Sequence, residues 1–330
     1  MRSVKNKITT ITMCIAIITM GISAAVGVMA LRSVGTSNAD QVLLLMCETG
    51  QKNLDHDFQS VEQSVAMVSA YVESDLDGLS EEQIQAHLAR VKGIFTRIIS
   101  KTDGVLTYYY RIDPAVSQTA KGFWYVSNDE GFFEHEVTDI TQYNTLDTSA
   151  LVWFTVPKTT GKPVWLPPYI TENLGARVIS YNVPIYHHGR FVGVIGIELD
   201  YTNLAKMVDN ITLYDNGYAF VNDAKGKIIY HSRMDVLNMA EQPKVPNGLL
   251  SNNKFVHYTF EGVEKQAVWL PLSNGLRLNL CVPVEEINAE WHNWSIKLVA
   301  IITVLLILSV AVIKSMVGVI IGNRDSSGKN

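Results

Sequence analysis

Two apolar runs frame the chain, and between them the hydrophobic pattern changes from a helical period to a strand period. From Ile8 to Leu31 there is no charged residue, which is long enough for a membrane-spanning helix of about 20 residues. The second run extends from about Ile296 to Ile321 and is uncharged from Leu298 to Ile313. Lys314 lies near its inner end, where a long stem can carry the ammonium to the interface. Trp291 and Trp294 stand just ahead of it, at the position where interfacial aromatics anchor a spanning helix. A cleaved signal peptide would have a shorter apolar core, about 7–15 residues. Both runs are therefore expected to span.

Arg2, Lys5 and Lys7 precede the first run, and Lys314, Arg324 and Lys329 lie on the C-terminal side of the second. The excess of cations on the cytoplasmic side of spanning helices predicts cytoplasmic termini, with residues 32 to 295 outside. The expected location is the inner or plasma membrane.

Between the spans, Val61, Val65, Val68 and Val72 recur at helical spacing in a proline-free stretch from about Ser37 to Glu73, which predicts a long helix able to carry a displacement toward the membrane. A second helix is predicted near Ser80 to Ser100, with Ser80 and Gln83 forming a capping box. From Gly104 the pattern becomes strand-like, with VLTYYYRIDP and then GFWYVSND. A polar excursion from Asp129 to Thr148 follows, then VWF, GKPVWLPPY, ARVISYNVPIY and RFVGVIGIELD. His187-His188-Gly189 reads as the turn joining the last two strands, with Gly189 supplying a positive φ. A short helix is expected over 201–211, with Asp200 as its cap. Hairpins follow at 217–232 around Asp223-Ala224-Lys225-Gly226 and at 255–272 around Glu261-Gly262, then a strand over 276–284 and a helix leading into the second span. The fold class is α+β, with two antiparallel sheets in series on a long helix.

A net charge of −5 with no basic stripe argues against a nucleic-acid partner. Three cysteines are too few for a disulfide framework. No GxSxG elbow, HExxH helix or phosphate-binding loop occurs. The chain is therefore read as neither an enzyme nor a metal protein, and no cofactor is expected.

GKPVWLPPY, the pair SYNVPIY and GRFVGVIGIELD, and the run DNGYAFVNDAKGKIIYHS occur in an order that resembles the double Cache sensor domain of bacterial transmembrane receptors. The resemblance covers about residues 38 to 290. It implies two PAS-like modules in tandem on the long N-terminal helix: a membrane-distal one (77–205) that binds small extracellular ligands, and a membrane-proximal one (206–290). A stalk helix (37–76) would join the first span (8–31) to them. The second span (296–321) would end in a short tail (322–330), with residues 1–7 as the cytoplasmic N-terminus. A homodimer through the stalk helix is a further implication.

The near-continuous apolar run FVGVIGIEL reads as a central strand buried on both faces, and Gly193 and Gly196 leave room for a close approach of backbone or ligand. In amino-acid-binding members of the family, an acid at the position matching Glu198 pairs with the ligand's ammonium. Those members also clamp the carboxylate with an Arg-x-Trp-Tyr element. The matching stretch here is Leu151-Val152-Trp153-Phe154, which keeps the tryptophan and loses the arginine fork. Trp153, Phe154, Trp165, Tyr169 and Tyr181, with Glu198 at one side, would suit an amine or another cation.

The expected function is a small-molecule sensor of a signalling receptor, of chemoreceptor, histidine kinase or diguanylate cyclase type. No output module follows the second span, which points to a truncated receptor or to a separate cytoplasmic signalling partner. The competing reading is a membrane-anchored Cache protein that docks a partner such as a solute-binding protein.

Overall fold

The computed structural model describes residues 2–327, apart from 129, 172, 237 and 240. Its axis is α1 (Arg2–Asp75), a single helix of 74 residues. The first span and the stalk, expected as separate elements, are continuous: no proline or glycine pair interrupts the stretch between them, so nothing breaks the hydrogen-bond ladder. Val61, Val65, Val68 and Val72 form the fully buried stripe of this helix. The last helix, α5 (Val284–Ser327), packs antiparallel against the start of α1. Gly27 meets Leu298 and Gly35 meets Trp291, since glycine lets the two backbones come close. Both helices contain stretches long and apolar enough to cross a membrane.

Helix α2 (Glu81–Ile99) opens on the expected capping box. Ser80 Oγ accepts from the Gln83 amide at 3.3 Å, and Gln83 Oε1 accepts from the Ser80 amide at 3.3 Å.

The first sheet contains β1 (Val105–Ile112), β2 (Gly122–Asn128), β3 (Gly131–His135), β4 (Val164–Ile170), β5 (Arg177–His187) and β6 (Arg190–Asp200). It is antiparallel throughout, in the order β3-β2-β1-β6-β5-β4. The apolar run of the sequence is thus β6, flanked by β1 and β5. The β5–β6 turn places His188 at φ 48° and Gly189 at φ 79°.

Two local expectations change. The polar excursion contains a strand, β3, because Phe132 packs on Tyr108 with ring centroids 5.2 Å apart. Asp129, its first residue, lies outside the described residues. VWF does not continue the strands but opens α3 (Val152–Thr160), a helix that covers one face of the sheet. So short an apolar run carries no period of its own, and tertiary packing decides it.

Alternation along β1 and β6 divides the buried side chains cleanly. Tyr108, Tyr110, Ile112, Ile195 and Ile197 join the core built on α1 and α2. Thr107, Tyr109, Arg111, Val194, Gly196 and Glu198 face the other way, toward α3 and the 136–151 segment.

Asp200 caps α4 (Tyr201–Asp209), accepting from the Thr202 amide at 2.7 Å. The second sheet runs β8-β7-β11-β10-β9, from β7 (Tyr218–Asn222), β8 (Ile228–His231), β9 (Phe255–Phe260), β10 (Val263–Pro271) and β11 (Arg277–Pro283). Asp223 Oδ1 organises the first hairpin by accepting from the amides of Lys225 and Lys227, both at 2.9 Å. The sheet is pinned to α1 by Gln266 Nε2 donating to Asp40 Oδ1 (2.5 Å) and by the Ser273 amide donating to Asp55 Oδ1 (2.7 Å).

Ser80→Ala removes one half of the capping box. It is expected to cost about 1 kcal/mol and to lower Tm by about 2–4 °C, read by thermal unfolding of the full chain in nanodiscs.

Candidate ligand-binding site

The face of the first sheet turned away from α1 carries a cavity of about 370 Å³. Its floor is β1 and β6, its walls come from Trp124 on β2 and Tyr169 on β4, and Trp153 of α3 closes one side. Val137, Thr138, Tyr143 and the 149–152 segment cover it.

Glu198 lies at the floor, 4% exposed. Its two oxygens accept from Thr107 Oγ1 and Tyr169 Oη, each at 2.6 Å. Among the described residues no cation lies within salt-bridge distance of it. Burial raises its pKa above the ordinary carboxylate value, and the two hydroxyl donors oppose that rise only in part. A carboxylate satisfied by neutral donors alone is costly to ionise in a dry site. A ligand cation would supply the missing charge.

A chain of polar contacts sets this geometry. Tyr169 Oη lies 3.2 Å from Ser180 Oγ, which accepts from Asn182 Nδ2 at 2.8 Å; Asn182 Oδ1 accepts from Tyr109 Oη. That last contact passes over Gly196, where an added Cβ would lie 2.5 Å from the Tyr109 hydroxyl and 2.6 Å from Asn182 Oδ1. Any side chain at 196 would displace the Tyr109 phenol from the floor. Tyr109 also meets the Trp153 indole edge-on, with centroids 5.0 Å apart.

The sequence matches the Cache domain family, in its dCache_1 form, over residues 30–291. The chain belongs to the Cache domain family.

Solved relatives share the fold at low identity. The ligand-binding domain of Mlp24 with asparagine is 17% identical, with a TM-score of 0.54, covering 79% of this chain and 99% of that one. The ligand-binding domain of Campylobacter jejuni chemoreceptor Tlp3, in complex with L-norvaline, is 20% identical, with a TM-score of 0.53 and coverage of 77% and 94%. The methyl-accepting chemotaxis protein PscA of Pseudomonas syringae pv. tomato is 26% identical over 110 residues, 31% of this chain. The match spans only 18% of PscA. Mlp24 and Tlp3 are solved as ligand-binding domains, and at these identities the likeness to them is one of fold.

The six residues singled out from the sequence do not gather in one place. Trp153, Tyr169 and Glu198 line the cavity. Phe154 lies beneath it, fully buried against Tyr109, Ile140 and Val194. Trp165 and Tyr181 occupy the opposite face of the sheet: their rings pack together at 5.0 Å, Trp165 meets Phe58 at 5.1 Å, and its Nε1 donates to Glu62 Oε1 at 2.7 Å. These two aromatics hold the sheet to α1 and do not wall the cavity.

The separation of Trp165 from Tyr169 comes from an irregularity in β4. Leu166 pairs with Ser180 and Tyr169 with Val178, so three steps on β4 answer two on β5. The extra residue, in the Pro167-Pro168 pair, reverses the alternation and turns Tyr169 toward the cavity while Trp165 faces α1.

Sequence reading also passed over Tyr109, Arg111 and Trp124, which line the cavity. The available signal was an arginine inside an apolar strand, spaced two and four residues from Tyr109 and Thr107. Arg111 is 2% exposed. Its Nε donates to Thr138 O at 3.2 Å, and Nη1 donates to Ile112 O at 3.0 Å and Lys121 O at 2.5 Å. Burial holds its pKa down to about 10.

Gly196→Ala is expected to cost about 1–3 kcal/mol through overpacking. It should also quench or shift the Trp153 fluorescence as the Tyr109 ring is driven toward it; an unchanged Tm and spectrum would contradict the close approach.

Proposed function

We propose that this Cache chain is the extracytoplasmic small-molecule sensor region of a bacterial transmembrane signalling receptor, and that its ligand presents an ammonium or similar cation to Glu198. The observation that carries this reading is the Glu198 carboxylate, buried at the floor of an aromatic cavity with, among the described residues, only hydroxyl donors as partners. Tyr109, Trp124, Trp153 and Tyr169 surround it with π-faces suited to a cation. Mlp24 and Tlp3, solved with an amino acid or an amino-acid analogue in the same fold, support a small ligand of this kind.

Both termini are proposed to be cytoplasmic, with residues 32–295 outside, in agreement with the basic residues beyond each apolar helix. The distal module would be 77–205 and the proximal module 206–290. Signalling would use the fact that β1 and β6 carry the cavity on one face and the α1 contact on the other. A ligand that prefers one arrangement of these strands shifts the equilibrium between arrangements of α1 and α5. Val42, Leu45 and Met67 remain exposed on α1, in keeping with a homodimer through this helix.

The test is a thermal-shift panel on the full chain in nanodiscs, with alkylamines set against carboxylates of matched length. Amines are expected to stabilise the chain, and Glu198→Gln or Trp153→Ala to weaken binding by about tenfold or more, as for a lost hydrogen bond to a charged group. Stabilisation by carboxylates alone would overturn the cation reading.

The pH dependence has two opposed signs. The folded-state pKa of Glu198 is raised above its ordinary value of 4.5. Its contribution to stability without ligand is therefore fully present below that value and is lost as pH rises through the raised pKa. Amine binding needs the ionised form, so affinity should fall as pH drops through the same window. Glu198→Gln should flatten the stability component.

A further inference from the structure

The cavity has a second pole. Glu198 opposes Thr107 on β1, and Arg111 stands four residues further along the same strand on the same face. The guanidinium is buried, and among the described residues no carboxylate lies within salt-bridge distance of it. The two acids that act on it are both engaged elsewhere. Asp113 Oδ2 accepts from Lys158 Nζ at 2.6 Å, and Asp139 Oδ1 accepts from the amide and hydroxyl of Thr141 at 3.0 and 2.7 Å. The partners of Arg111 are three backbone carbonyls, taken by Nε and Nη1; Nη2 has no hydrogen-bond partner among the described residues. Carbonyl dipoles orient a guanidinium without cancelling its charge. The arrangement mirrors that of Glu198, a buried charge held by neutral groups at the wall of the same cavity.

Resting on the cation reading of Glu198, we propose that the ligand is an elongated zwitterion, with its ammonium at Glu198 and a carboxylate or similar anionic group at Arg111 Nη2. Four strand residues separate the Cα atoms of Thr107 and Arg111 by about 13 Å. Subtracting about 3 Å of charge-assisted contact at each end leaves about 7 Å between the ligand's charges. An α-amino acid holds its charges within about 3 Å of each other and cannot reach both poles. An ω-amino acid of five or six carbons, or a dipeptide, spans the distance. Tyr109 and Trp124, paired across β1 and β2 between the two poles, would flank the ligand's middle. The loss of the arginine at Leu151 then has a physical counterpart: this cavity carries its cation on β1 rather than at the start of α3. Arg111 also holds Thr138 of the covering segment, so an anion at Nη2 would bear directly on the group that anchors the cover.

The experiment is a calorimetric titration of the full chain in nanodiscs. The probes are ω-amino acids from glycine to 8-aminooctanoate, alkylamines and diamines of the same lengths, and glycylglycine as the peptide arm. The expected result is an affinity maximum at 5-aminopentanoate, 6-aminohexanoate or glycylglycine, at least tenfold above the matched alkylamine. That gain should vanish in Arg111→Gln, which keeps a donor for the carbonyls, so that the ratio of ω-amino acid to alkylamine affinity falls to about one. Equal affinity for amines and ω-amino acids, or a gain that survives Arg111→Gln, overturns the zwitterion proposal and leaves the cation reading standing. An absence of any Glu198-dependent binding overturns both. Should Arg111→Gln show no cooperative thermal transition, the length series on the unaltered chain decides alone, because a flat series contradicts a second pole.

Discussion

A strand buried on both faces has no solvent to satisfy its polar side chains, and the distal half of this chain is organised around that constraint. β6 lies between β1 and β5, with one face against α1 and α2 and the other against the cavity. Its apolar residues meet the constraint by packing. Its buried acid, Glu198, meets it through hydroxyl groups from a neighbouring strand and from one beyond: Thr107 on β1 and Tyr169 on β4. The remaining partners follow in turn, Ser180 and Asn182 on β5 and Tyr109 back on β1. The polar chain thus crosses the sheet and ties four strands to one carboxylate.

The same double burial links ligand chemistry to the long helix. Tyr108 and Tyr110 alternate with Tyr109, so neighbouring residues of one strand serve α1 and α2 on one side and the cavity on the other. Core packing is close and poorly compressible, and a change in the position of β1 is therefore felt on both faces. Trp165 and Tyr181 belong to this arrangement as well. They stand against Phe58 and Glu62 of α1, where they fix the sheet to the helix that continues into the first apolar run. Gly27 and Gly35 then bring α5 against that run, so both sheets and both apolar helices share one mechanical axis.

Much of the fold was legible in the sequence because its signals are local. The valine stripe, the capping box at Ser80 and Gln83, the Asp200 cap and the hairpin turns each depend on residues within a few positions of one another. The strands β1, β2, β5 and β6 announce themselves by β-branched and aromatic content. β3 and α3 did not, since five residues in a polar stretch and three apolar residues before a proline carry too little pattern to outweigh packing. The site was legible in part. Glu198 and the Trp153-Phe154 pair came from a resemblance in motif, while Trp165, Tyr169 and Tyr181 were grouped with them as aromatics of the neighbouring strands, which composition alone does not assign to one face.

The sequence by itself determined the apolar runs, the long helix, the succession of two antiparallel sheets and the family, because these rest on composition and on periods of 3.6 and 2 that each segment carries alone. Only the tertiary structure decided which side chains share a cavity. One extra residue in β4 reverses a face, and whether that residue is present in the pairing depends on hydrogen bonds to β5. Likewise, Arg111 and Glu198 lie 87 positions apart in sequence and become two poles of one cavity through the register of β1 against β6, a property of the paired strands that neither strand encodes separately.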